Sequence, residues 1–243
     1  MDAAAPLDEL CLGFSKRLGA RRSWLVTSTA DDVLSLIRTR AEGEGTSLLT
    51  CTSLGGDPLR CDDVRAMARK VAPGGKMAAL LACDNSLATS FGCAAARLGA
   101  DVVVESLARA AGEKGVCAVA LSERACALGW PVSTLEEMPA PNDEALARVA
   151  GSLSTFDVRR RRENDNAQVV AAYLRCHPRV RGVRYPGLRD DPSHEVAARQ
   201  LTHGFGPCVE CAVEGGERLR VTCDDRDPHE LVLGLERQIA RGR

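Results

Sequence analysis

Short apolar runs alternate with segments of helical spacing through the first two thirds of the chain, and this alternation restricts the possible folds most. The runs lie at residues 47–52, 77–83, 101–105 and 116–122 and are rich in Leu, Val, Ala and Cys. Strands that are separated by helices predict a mainly parallel sheet covered on both faces. We therefore expect an α/β fold.

The last third of the chain has a different pattern, which predicts a second, smaller α/β domain. A turn-rich segment at 130–142 precedes a long helical region over 144–175. A short strand at 183–185, a helix opening at Asp191-Pro192, a strand pair at 209–213 and 219–223, and a final helix after Asp227-Pro228 follow. We predict domains over 1–152 and 153–243.

Charge and hydropathy exclude two classes of partner. The 243 residues hold 32 basic and 33 acidic side chains, a net charge of -1, which provides no electrostatic basis for binding nucleic acid or an anionic membrane. No stretch approaches the ~18 consecutive apolar residues of a membrane span. Because the first residues also lack a basic segment followed by an apolar core, we expect a cytoplasmic protein.

Eleven cysteines are an odd number at irregular spacing, which does not indicate a disulfide framework. Cys208 and Cys211 form a single C-x-x-C pair. No second pair of cysteines or histidines at ligand spacing accompanies it, so we assign no metal ligands. A cysteine-rich metal or redox binding module is nevertheless one of the alternatives that the sequence leaves open.

The segment 84–115 carries the motif with the most chemistry. Asp84-Asn85 ends an apolar run, and Gly99-Ala100-Asp101 opens the next one. The tetrapeptide Ser106-Leu107-Ala108-Arg109 and a glycine loop follow that run. This arrangement resembles the cofactor site of the pyridoxal-phosphate (PLP) dependent trans-sulfuration family, which includes cystathionine gamma-synthase, cystathionine gamma-lyase and methionine gamma-lyase.

Further motifs extend the resemblance over most of the chain. They are Asp57-Pro58-Leu59-Arg60, similar to the family's Asn-Pro-Leu-Leu-Arg, the stretch 155–167, the stretch 183–188 and Arg218-Leu219-Arg220-Val221. The resemblance implies a PLP-transferase fold of the aspartate aminotransferase type I. It also implies that the large domain is truncated, because only 46 residues precede Ser47, and that the small domain has an internal deletion near 206–218.

The resemblance also assigns roles to individual residues. Asp84 matches the carboxylate that contacts the pyridine nitrogen of PLP, and Ser106 matches a phosphate-binding hydroxyl. Arg218 matches the arginine that binds the substrate carboxylate. Arg109 stands where the family has the lysine that forms the Schiff base, and Ala108 replaces a second phosphate-binding hydroxyl. A guanidinium group stays protonated below pH ~12, so it neither forms the ordinary imine nor acts as a base near neutrality. Lys114 lies five residues farther on.

Two functions follow from the resemblance. The first is a family member with impaired catalysis, in which PLP retention is doubtful. The alternative is an active PLP-dependent C–S lyase or synthase on cysteine, homocysteine or cystathionine. In either case the partners that we expect are a sulfur amino acid if the chain is active, a second copy of the chain, or a full-length relative.

Overall fold

The computed structural model describes residues 4–71, 79–215 and 218–241. Its strands are β1 Arg22–Thr27, β2 Ser47–Thr52, β3 Ala79–Asp84, β4 Val102–Ser106, β5 Val116–Leu121, β6 Val180–Arg184, β7 Cys208–Val213 and β8 Arg218–Thr222. Its α-helices are α1 Ala4–Leu18, α2 Ala30–Gly43, α3 Val64–Val71, α4 Thr89–Gly92, α5 Leu107–Ala111, α6 Glu123–Ala127, α7 Trp130–Glu136, α8 Asp143–Leu153, α9 Phe156–Cys176, α10 His194–Gln200 and α11 Pro228–Arg241. A short 3-10 helix spans Ala95–Leu98.

The chain divides into two compact units. The first contains residues 1–53 and 62–156, and the second contains residues 54–61 and 157–243. The second unit is therefore discontinuous in sequence. No change of composition near residue 54 indicates this, because the assignment depends on contacts with strands that follow much later in the chain.

The first unit is built on a five-stranded sheet with the order β1-β5-β4-β3-β2. Strands β2, β3 and β4 are parallel, whereas β5 runs antiparallel to both of its neighbours, β4 and β1. All six residues of β5 are buried, as is typical of a strand covered on both faces. The predicted α/β fold with a mainly parallel sheet is confirmed. Strand β1 and helix α1 were not predicted from the sequence.

Three local predictions differ from the structure. Small residues at 89–98, followed by Gly99, predict a single helix. The structure breaks it at Cys93, because the buried Asn85 amide donates a hydrogen bond to the Cys93 carbonyl at 3.0 Å and competes with the helical pattern. The segment predicted as turns contains α7. The helix predicted from Asp191 begins at His194, since the Asp191 carboxylate instead accepts hydrogen bonds from the amides of Tyr185 and Ser193.

The second unit has a three-stranded antiparallel sheet with the order β6-β7-β8. One face of this sheet packs against α9 and α11 around a core in which Tyr185 is fully buried. Leu231, Leu235 and Ile239 of α11 are all buried in that core, as their spacing predicts. The opposite face carries charged side chains. Strands β7 and β8 are consecutive elements along the chain.

Candidate functional site

Asp84 and Ser106 lie at the same edge of the first sheet. Asp84 ends β3, where it is paired in register with Val104, and Ser106 ends the neighbouring parallel strand β4. The carboxyl ends of parallel strands are where open α/β sheets usually bind ligands. The structure thus brings together two of the residues that the sequence singled out.

Ser86 links these two residues, and the sequence analysis did not identify it. Its amide donates to Oδ1 of Asp84 at 2.9 Å, and its hydroxyl accepts a hydrogen bond from the amide of Ser106 at 3.0 Å. A small polar residue two positions after a strand-ending Asp is a common turn pattern, and this pattern is the feature of the sequence that could have identified Ser86.

The groups at the start of α5 bond to one another. The Ser106 hydroxyl accepts a hydrogen bond from the amide of Ala108 at 3.4 Å and forms the N-cap of the helix. Since the Ser106 amide also donates to Ser86, two amide donors near this turn already have acceptors within the protein. Helix α5 is only five residues long.

Arg109 is the third residue of α5, and its side chain is half-buried. Lys114 lies beyond the helix in the loop before β5, where it is exposed. Among the described residues, no lysine lies at the turn between β4 and α5.

Two pairs of buried polar side chains next to this edge bond to each other. The carboxylate of Glu105, fully buried, accepts hydrogen bonds from the amide and the hydroxyl of Ser90 at 2.6 and 3.3 Å. The Ser53 hydroxyl donates to Oδ1 of Asn85 at 2.6 Å. Such mutual pairing is what a stable polar interior requires, and it leaves these groups committed to the fold.

Two cysteines lie one residue before the carboxyl ends of β2 and β3, next to Asp84. Cys51 and Cys83 are register partners on the two strands, and both are buried. A hydrogen bond with Cys51 and burial raise the pKa of the Cys83 thiol well above its ordinary value. Burial raises the pKa of Cys93 to about 12, with a smaller contribution from Cys51. These thiols are therefore protonated near neutral pH and are poor nucleophiles.

Arg218 lies in the second unit, where carboxylates of the protein already hold it. Its guanidinium bonds to Asp57 at 2.7 Å and to Glu210 at 3.2 Å. Hydrogen bonding to Asp57 raises the pKa of Arg218 further. Glu210 in turn accepts hydrogen bonds from the Leu59 amide at 2.9 Å and from Arg220.

A cavity of about 270 Å³ adjoins this network. Its lining consists of Pro58, Gly182, Val183, Arg184, Glu210, Cys211, Ala212 and Arg218. All of these residues belong to the second unit.

The C-x-x-C pair does not form half of a metal site. Cys208 and Cys211 are three residues apart on the single strand β7, so their side chains point to opposite faces of the sheet. Cys211 is part of the hydrophobic core. No cluster of three or more metal-ligating side chains is found over the described ranges 4–71, 79–215 and 218–241, and none of the helices described there could span a membrane.

The residues at the sheet edge do not fit the PLP that the resemblance implies. Asp84 remains at the end of its strand, but position 109 has a guanidinium in place of an amine, and the Ser106 hydroxyl is used as a helix cap. Of the groups that the resemblance assigns to PLP, the carboxylate of Asp84 is present and the amine is not.

Comparison with known proteins identifies the same family as the sequence motifs. The family model described as Cys/Met metabolism PLP-dependent enzyme matches residues 8–225. The chain is 34% identical over 164 residues to a putative cystathionine gamma-lyase of Streptomyces coelicolor, an overlap of 65% of this chain and 40% of that protein. It is 38% identical over 138 residues to the cystathionine gamma-synthase of Mycobacterium leprae, covering 55% and 35%. These matches thus span well under half the length of these two relatives.

Solved structures are similar over nearly the whole chain. The cystathionine gamma synthase from Xanthomonas oryzae pv. oryzae, in complex with aminoacrylate and cysteine, has a TM-score of 0.84 at 17% identity, covering 98% of this chain and 86% of that one. CalE6, a methionine gamma lyase from Micromonospora echinospora, has a TM-score of 0.83 at 17% identity, covering 97% and 86%. At this identity the likeness establishes the fold.

Proposed function

The chain belongs to the Cys/Met metabolism PLP-dependent enzyme family, and we propose that it is a member that keeps the family's fold without its covalent chemistry. In this proposal the protein is a non-catalytic relative of the enzymes of sulfur amino acid metabolism. It acts by binding, as a partner or regulator of a full-length relative or as an assembly of its own copies. A cytoplasmic location is part of the proposal.

Arg109 is the observation that carries the proposal. It is the third residue of α5, three residues beyond Ser106 at the end of β4. By its resemblance to the family's motif, this is the position of the reactive lysine. Covalent attachment of an aldehyde cofactor needs a primary amine with an available lone pair, and the lone pairs of a guanidinium are delocalised. A half-buried arginine is able to keep the positive charge of the ancestral residue but not to form its covalent bond.

The turn before α5 supports the same conclusion. Binding a phosphate at a helix start requires amide donors that point at the ligand. Here the amide of Ala108 donates to the Ser106 hydroxyl, and the amide of Ser106 donates to Ser86. With Ala in place of a second hydroxyl at position 108, the turn favours internal bonds over an anion.

The test is borohydride reduction of the protein after incubation with PLP, followed by peptide mass spectrometry. The chain has four lysines, Lys16, Lys70, Lys76 and Lys114, so every adduct is assigned to a single position. We expect labelling of each lysine no higher than in the urea-denatured chain. Stoichiometric labelling of one lysine in the folded protein only, at Lys114 above all, would contradict the proposal.

The double variant Arg109→Lys with Ala108→Thr is the matched control. Specific labelling at position 109 in this variant, absent from the wild type, would attribute the loss to these two substitutions. An activity assay with cysteine, homocysteine or cystathionine and added PLP tests the alternative, an active C–S lyase or synthase. Turnover that depends on PLP would favour that alternative, and we expect none.

A further inference from the structure

We propose that the cavity on the charged face of the second unit's sheet binds a small monocarboxylate with a short apolar tail, and that Arg184 is its anchoring residue. This inference does not depend on whether the chain binds PLP. It rests on the register of β6, β7 and β8, on the pairing of the charged groups and on the open space above Gly182.

The strand register places the cavity residues on one face. Gly182 of β6 pairs with Ala212 of β7, and Ala212 pairs with Arg218 of β8, so these three form a row across the sheet. Arg184 pairs with Glu210, in the next row on the same face. Residues two apart on a strand share a face, and directly opposite residues in antiparallel strands do too.

Small residues form the floor of the cavity. Gly182 and Ala212 leave the centre of this face without large side chains, and Pro58 adds an apolar wall. A Cβ atom built on Gly182 meets nothing within 4 Å, which locates open space directly above it. At about 270 Å³ the cavity is smaller than the ~300–1,000 Å³ of drug-sized sites, so it suits a molecule of a few non-hydrogen atoms.

Three arginines and two carboxylates surround the cavity, and the two carboxylates pair with two of the arginines. The carboxylates of Asp57 and Glu210 bond to the guanidinium groups of Arg218 and Arg220. Oε2 of Glu210 also accepts a hydrogen bond from the Leu59 amide, so both carboxylate oxygens already have partners within the protein. The side chain of the half-buried Arg184 has no hydrogen bond or ion pair among the residues that the structure describes.

This balance assigns anion binding to Arg184 rather than to Arg218. A ligand that approached Arg218 would have to compete with Asp57 and Glu210, whereas Arg184 has its donors available. A planar guanidinium matches a carboxylate in bidentate geometry, and a short alkyl chain would cover the Gly182–Ala212 floor. Together these two requirements select a small monocarboxylate over a bare inorganic anion.

The test is an NMR titration of the ¹⁵N-labelled full chain with butyrate, without PLP. Butyramide, its neutral isostere, and inorganic phosphate are titrated in parallel. We expect saturable shifts of the Gly182 and Ala212 amides with a Kd on the order of millimolar for butyrate, and binding of butyramide and phosphate at least about tenfold weaker. Phosphate that binds as tightly as butyrate, or no saturable butyrate binding up to about 50 mM, would overturn the proposal.

Three variants separate charge from shape. Arg184→Gln should weaken butyrate binding about tenfold or more, whereas Arg181→Gln should leave it within about twofold, because Arg181 lies on the same strand but is exposed and paired with Glu214. Gly182→Leu should abolish binding by filling the cavity without changing a charge. Retained affinity in Arg184→Gln, in a variant whose amide spectrum shows that it is folded, would refute the assignment.

Discussion

The guanidinium of Arg124 forms a salt bridge with the buried carboxylate of Asp101, and its Nε donates a hydrogen bond to Oδ1 at 2.9 Å. The Asp101 side chain is 4% exposed, and it also accepts hydrogen bonds from the Leu81 amide and the Ser122 hydroxyl. Asp101 immediately precedes β4, so this pair ties the start of β4 to β3 and to the end of β5.

Removing Arg124 should destabilise the first unit strongly. Arg124→Ala leaves a buried carboxylate without its cation, which typically costs about 3 kcal/mol or more in the free energy of unfolding. Urea denaturation followed by circular dichroism measures this difference. Arg21→Ala is the control, because its ion pair with Glu123 is exposed, and it should change stability much less. Equal effects of the two substitutions would contradict the structural role given to Arg124.

Glu210 should make the second unit sensitive to acid. Burial acts to raise the pKa of Glu210, but the Leu59 amide and Arg220 outweigh it and hold the pKa below its ordinary value. A carboxyl with a lower pKa in the folded state stabilises the fold above its unfolded pKa, and this stabilisation is lost as the pH falls through the folded pKa. The loss should therefore begin below about pH 4.3.

Glu210→Gln tests that pH dependence. The variant should be less stable than the wild type at pH 7, because a neutral amide pairs less well with Arg218 and Arg220. Its stability should also fall less steeply in acid. Chemical denaturation at several pH values between about 3 and 7 gives both slopes, and parallel slopes would show that Glu210 does not contribute.

A comparison of Gly99 and Gly112 distinguishes the cost of backbone strain from the cost of steric crowding when glycine is replaced by alanine. Gly99 and Gly112 both have positive φ, +106° and +74°, where L residues are strained. A Cβ atom at Gly99 would lie 2.6 Å from Cβ of Ala68, whereas at Gly112 nothing lies within 4 Å.

Gly112→Ala should consequently cost about 1 kcal/mol, and Gly99→Ala should cost about 1–3 kcal/mol more. The midpoints of urea unfolding compare the two variants directly. A Gly99→Ala variant as stable as Gly112→Ala would mean that α3 moves away from Gly99 at little cost.

Thiol reactivity should follow exposure. Cys176 is exposed, whereas burial raises the pKa of both Cys93 and Cys117 to about 12. Because the thiolate is the reactive form, the two buried thiols should stay unmodified by iodoacetamide at pH 8 until the protein is denatured. Peptide mass spectrometry over time identifies the modified residues. Cys176→Ser should remove the fastest phase, and early labelling of Cys93 would oppose this assignment.

The sequence predicts those parts of the molecule that local patterns control. The stretch Thr29-Ala30-Asp31-Asp32 resembles a capping box, and Thr29 does form the N-cap of α2, where its hydroxyl accepts a hydrogen bond from the amide of Asp32 at 3.2 Å. The run before Asp84 defines a buried strand, of which residues 77 and 78 lie outside the described part of the chain. Asp84 and Ser106 meet at one sheet edge because both follow parallel strands.

The remaining features depend on tertiary contacts. The break at Cys93 is caused by an amide eight residues away, and the pairing of Glu210 with the Leu59 amide joins residues 151 positions apart. Arg184 looks in the sequence like any arginine of a strand. The structure shows that Glu210, its neighbour on β7, is bonded to Arg218, Arg220 and the Leu59 amide instead. The sequence cannot show that the side chain of Arg184 has no ion pair among the described residues.

The early segment 54–61 completes the second unit, and this has a consequence for synthesis on the ribosome. The Leu59 amide leaves the exit tunnel long before the acceptor of its hydrogen bond, Glu210, has been translated. The second unit is therefore unable to reach its native contacts while the nascent chain is growing past the first. A fragment that starts at residue 157 would lack this donor altogether, so expressing that part alone would give an incomplete fold.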